Sequence, residues 1–130
     1  METTEKVSVN MNIATISQID LLVDEGYFSN RSDFINQAVR QVLDQKIHII
    51  EDVRRRQSKH SSPWFIGIMT LTREELVVAK ENQRKLKVSG YGMLIIRDVP
   101  DELVIETVES IRVKGKVVCS DKIREHFSLR

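Results

Sequence analysis

Residues 6–12 read KVSVNMN, in which apolar Val7, Val9 and Met11 alternate with polar Lys6, Ser8 and Asn10. That period of two is the pattern of a strand buried on one face. The residues that follow read as helices, and a helix offers no ladder to a strand. A strand standing alone leaves its N–H and C=O groups unpaired, so a distant strand of the same chain or a second copy of the chain has to complete it. This demand constrains the fold more than any other feature of the sequence.

The helical reading begins at Asn12, placed as an N-cap. Behind it Ile16, Ile19, Leu22 and Val23 recur at helical spacing, and Gly26 supplies a C-terminal stop. Ser29 offers the next N-cap. It is followed by a wide apolar stripe of Phe34, Ile35, Ala38, Val39, Val42 and Leu43, in a helix that has room to continue through KIHIIEDVRRRQ. Around Pro63, QSKHSSPW lacks periodicity and reads as a linker.

Beyond the linker the chain alternates. WFIGIMTL is expected extended, TREELVVAKENQRKLK helical with Thr72 as cap, YGMLIIRDV extended, PDELVIETVESI helical, KVVCS extended and DKIREHF helical. LKVSG at 86–90 and IRVKG at 111–115 share one pattern at a spacing of 25 residues. Two readings fit that spacing, a strand-helix repeat and a coincidental strand-to-turn signature. The expected fold class is α+β, with a first domain at residues 1–58, a linker at 59–64 and a small α/β domain at 65–130.

The 20 Lys and Arg against 19 Asp and Glu leave a net charge of +1, so any anion-binding function has to come from a local patch. The single cysteine, Cys119, excludes an internal disulfide framework or a zinc site built from several cysteines, and makes a reducing setting the expectation. There is no leader-like start and no apolar run of about 18 residues. The expected protein is soluble and cytoplasmic. No phosphate-loop, nucleophile-elbow or H-E-x-x-H motif occurs. SGYGM reads as a turn into a strand, and the acidic pairs Glu74–Glu75 and Asp101–Glu102 fit the positive ends of helix dipoles. Neither an enzyme nor a cofactor is expected.

The alternating KVSVNMN, the helix ending at DEGYF and the opening SNRSDFINQAVRQVL together resemble the ribbon-helix-helix family of DNA-binding proteins, the MetJ, Arc and CopG type, over Lys6 to Gln45. The resemblance implies a nucleoid-associated homodimeric regulator, a repressor of transcription, that binds a palindromic operator in double-stranded DNA. In that family two chains intertwine and pair their strands antiparallel, which would supply the missing partner. Val7, Val9 and Met11, with Phe34, Ile35, Ala38, Val39 and Val42, would form the dimer core. Lys6, Ser8 and Asn10 would face base edges in the major groove, where Lys suits guanine and Asn adenine. Ser29, Asn30, Arg31 and Ser32, at the start of the second helix, would clamp a phosphate. Capping by Ser29 is compatible with that role.

The C-terminal domain is expected to mediate assembly or to sense an effector. Its layout resembles nickel-responsive regulators of the same family, but His48, His60 and His126 are scattered without an H-x-H pair, and Cys119 with His126 makes a poor ligand pair, so no metal is expected. An antitoxin whose C-terminal part holds a protein partner is an alternative, as is an assembly protein. FIGIM and MLII fit a core or an oligomer interface. Trp64 fits a contact with the long helix or with a partner, and RRRQSKH fits a solvated run or a DNA-backbone contact.

Overall fold

The computed structural model describes residues 4–60 and 62–130, and the expectations for residues 1–3 and for Ser61 in the linker lie outside them. The chain divides into two compact units, Met1–Ile49 and Ile50–Arg130.

In the first unit, α1 (Ile13–Asp24) starts where Asn12 Oδ1 accepts from the Ala14 N–H at 2.7 Å. It stops at Gly26, whose φ of +88° suits glycine and whose N–H donates to the Val23 carbonyl. The α2 helix (Arg31–Gln45) is capped by Asn30 and not by Ser29. Its expected continuation is interrupted at Lys46, which has left helical geometry, and α3 (Ile47–Ser58) starts afresh across the division between the units. No Gly or Pro marks that break.

Ile19 is the one buried hydrophobic among the described residues of this unit, while Ile13, Leu21, Val39, Val42 and Leu43 are exposed. Residues 4–12 belong to neither helix nor sheet and pair with no strand among the described residues. Val7 and Val9 are 77% and 71% exposed. The apolar half of the alternating pattern is therefore uncovered by the described residues of its own unit.

The second unit alternates β1 (Trp64–Leu71), α4 (Arg73–Glu81), β2 (Leu86–Ile96), α5 (Asp101–Thr107), β3 (Val108–Val118) and α6 (Asp121–His126). The strands form one parallel sheet in the order β1-β2-β3. Crossovers between parallel strands share one hand, so consecutive ones place their helices on the same face. Leu76 and Ala79 of α4, Val104 of α5 and Ile123 of α6 accordingly pack on Phe65, Leu71, Leu94, Ile96, Val117 and their neighbours in one core. The opposite face of the sheet carries no helix from this set. Thr72 Oγ1 caps α4 as expected, accepting from the Glu75 N–H at 3.3 Å.

Several boundaries differ from expectation, among them the end of β2, at Ile96 and not Val99, and the start of β3, at Val108 and not Lys116. The helix expected to reach Lys87 ends at Glu81, and β2 begins at Leu86 and not at Tyr91, so Gly90 and Gly92 lie within the strand and not in a turn before it. The helix expected to reach Ile111 yields at Val108 to β3 without a loop, and the buried Thr107 donates its hydroxyl to the Leu103 carbonyl at 2.6 Å to close that helix end.

Gly67, Gly92 and Gly115 stand in one row across the sheet. A Cβ on Gly92 would meet the Gly67 carbonyl oxygen at 1.9 Å, and one on Gly115 would meet that of Gly92 at 2.0 Å. Register pairs Gly90 with Val113 and Gly92 with Gly115, so the two similar pentapeptides are out of step by two residues. No helix among the described residues is long and apolar enough to cross a membrane.

Candidate nucleic-acid interface

The first half of the candidate interface is the segment at residues 4–12, on which Lys6, Ser8 and Asn10 are exposed, as are the intervening Val7, Val9 and Met11. Ending it, Asn12 fixes the point at which the chain turns into α1.

The second half is the start of α2. Asn30 Oδ1 accepts from the Asp33 N–H at 2.8 Å while Asp33 Oδ2 accepts from the Ser29 N–H at 3.0 Å, a reciprocal cap that locks the first turn. The Ser29 N–H and the Gln37 side-chain amide, which donates to Asp33 Oδ1 at 3.0 Å, hold the Asp33 carboxyl below the usual carboxylate range. Phe34 donates to the Asn30 carbonyl. The N–H groups of Arg31 and Ser32 then remain without a partner among the described residues. Of the four residues expected to clamp a phosphate, Ser29 has its N–H committed to Asp33, and Asn30 has its side-chain oxygen committed to the cap.

Arg31 is also placed differently. Its Nε and Nη2 donate to the two carboxylate oxygens of Asp20 on α1 at 2.8 and 2.9 Å, a planar two-pronged pairing. Hydrogen bonding from Arg31 depresses the Asp20 pKa, and Asp20 raises that of Arg31. The guanidinium ties α2 to α1 while staying exposed, and the Arg31 backbone N–H stays without a partner among the described residues. Sequence reasoning missed Asp20 and Asp33. Asp33 has a legible signature, an acid three residues after Asn30, whereas nothing in the spacing of Asp20 announces its partner eleven residues on.

Of the residues expected to form the dimer core, Phe34 and Ala38 are half-buried, while Ile35, Val39 and Val42 are exposed. Phe34 meets Phe28 edge-to-face with ring centroids 4.9 Å apart. Phe28, Phe34, Ala38 and Gln41 line an open groove along α2.

In the second unit, Cys119 packs against the core at the end of β3, and burial pushes its thiol pKa up. It behaves there as a small hydrophobe. No three His, Cys, Asp or Glu side chains converge among the described residues.

A family model described as the Ribbon-Helix-Helix transcriptional regulator family matches residues 2–124, and the chain belongs to that family. The match takes in the three-stranded sheet as well as the helices that precede it. An uncharacterized protein of Methanocaldococcus jannaschii is 36% identical over 55 residues, which make up 42% of this chain and 56% of that protein. The chain thus spans little more than half the length of this curated relative. No solved structure matches.

Proposed function

We propose that the chain is a homodimeric, sequence-specific DNA-binding repressor whose strand at residues 6–12 pairs antiparallel with the same strand of a second copy. The resulting two-stranded ribbon enters the major groove, which is wide enough to admit it. Lys6, Ser8 and Asn10 read base edges while Val7, Val9 and Met11 close over the exposed stripes of α1 and α2. The N–H groups of Arg31 and Ser32, with the Ser32 hydroxyl, hold a phosphate beside the groove.

One observation carries this reading: a family member has an alternating segment with no strand partner among the described residues of its own chain, next to helices that bury almost nothing by themselves. Burial of apolar area is the main stabiliser of a fold, and a second chain is the source of cover that satisfies both the ladder and the stripe.

Selection of bound sequences from random DNA tests the proposal. A palindromic enriched site is expected. Replacing Lys6, Ser8 and Asn10 together with Ala should erase the preference, at about 1 to 3 kcal/mol of discrimination per good contact. Unchanged preference in the triple variant would sink the ribbon as the reading element.

A further inference from the structure

Charge is divided unevenly between the two units. Residues 1–49 hold four Lys and Arg against seven Asp and Glu, and residues 50–130 hold the other sixteen and twelve. The unit proposed to read DNA is therefore net acidic, and at its phosphate-holding end it places the Asp33 carboxylate. Affinity for DNA rests heavily on cations that displace counterions from the phosphates, and this unit supplies few of them.

The open face of the sheet supplies them in order. Register sets Trp64, Ser89 and Arg112 in one row, Ile66, Tyr91 and Lys114 in the next, then Ile68, Met93 and Lys116, then Thr70, Ile95 and Val118. Ile111, Val113 and Val117 of β3 pack into the core, so alternation turns Arg112, Lys114 and Lys116 to the opposite face. All three are exposed, and none is in an ion pair among the described residues. They form a column along β3, with about 6.6 Å between successive backbone positions. No Asp or Glu stands in any of the four rows. Arg112 and Lys114 also wall a cleft with Gln57, Trp64 and Tyr91.

From this column we infer that the face carrying Arg112, Lys114 and Lys116 is a second DNA-contacting surface, which binds the phosphodiester backbone without reading sequence. The inference rests on the chain being a DNA-binding protein and adds where its non-specific affinity resides. A second copy of the sheet seated on the same face would find no acid there to meet these cations, whereas a polyanion meets all three.

The experiment measures binding of the full-length chain and of an Arg112→Gln, Lys114→Gln, Lys116→Gln variant to two duplexes, one with a selected site and one of random sequence, over a range of salt. Each phosphate contact contributes about 0.9 to the slope of log affinity against log salt. The variant should lose about 2.7 of slope per chain on both duplexes, so for each chain that contacts the duplex its affinity falls about 40-fold less than the wild type's between 50 and 200 mM salt. Its preferred sequence and unfolding temperature should not move. Neutralising Lys80 and Lys122, which pair with Glu106 and Glu102, should leave the slope as it is. An unchanged slope in the triple variant overturns the inference, as does an unchanged slope with a lower assembly mass, which would assign the face to a second copy. Should the ribbon reading fail, no site is enriched, yet the slope on random duplex still reports on the column.

Discussion

The two units differ in what a single chain does for them. In the C-terminal unit, thirteen described hydrophobic residues from three strands and three helices are buried together in one core. In the N-terminal unit, α1 and α2 bury Ile19 and leave Val39, Val42 and Leu43 about half exposed. The first is a finished domain, and the second has the composition of a core without its cover. Both obey the same rule that an apolar face must be buried, and in the C-terminal unit the helices between and after the strands supply that cover from the same chain.

The largest expected effect lies in the finished unit. Gly92→Ala puts a methyl group 1.9 Å from the Gly67 carbonyl oxygen at a φ of +126°, so it strains the backbone and parts β1 from β2. A loss of about 3 kcal/mol or more is expected, read by denaturant unfolding of the C-terminal unit. Because this core is intrachain, the loss should not depend on protein concentration.

Val9→Asp sharpens the contrast. At 71% exposure in one chain, such a substitution would ordinarily move stability by less than about 0.5 kcal/mol. If Val9 closes the dimer core, the variant should stay monomeric at concentrations where the wild type pairs, with α1 and α2 melting early, as sedimentation and circular dichroism would show. A variant that pairs like the wild type would mean that the unit is complete alone.

Asn30→Ala removes the cap of α2 and should cost about 1 kcal/mol, measured as a shift in the unfolding of the helical unit with the sheet unaffected. The smallest effect is electrostatic. Asp20 and Asp33 both have pKa values below their ordinary one of 3.8, so the stability they add is fully present above about pH 4 and fades as the pH falls through the lowered values. Asp20→Asn should flatten that acid limb of the N-terminal unit and leave that of the sheet as it was. Both carboxylates remain accessible to solvent, which screens them and keeps this effect below that of the cap.

Much of the secondary structure was legible because local chemistry is stated by local residues. Asn12 before an apolar stripe, Gly26 behind it and Thr72 before REEL all occupy the positions their side chains or backbone freedom favour. Ser29 and Asn30 show the limit. Both are good caps, and the choice fell to Asn30 because Asp33 closes the reciprocal pair from there. The early starts of β2 and β3 were hidden for a different reason. Gly90 and Gly92 read as a turn when taken locally, but Gly92 is the middle of a glycine row that lets neighbouring strands approach. The spacing of Gly67, Gly92 and Gly115 was visible in the sequence, though its meaning depended on strand register.

By itself the sequence determined that KVSVNMN alternates apolar and polar residues, that two amphipathic helices follow and that strands and helices then alternate, since periodicity and capping act within a few residues. Tertiary structure alone decided which residues share a row, that the helices of the second unit crowd onto one face, and that Arg31 pairs with Asp20 across the two helices. Those outcomes depend on strand register, on crossover hand and on how α1 and α2 pack, which bring together residues that sequence spacing keeps apart.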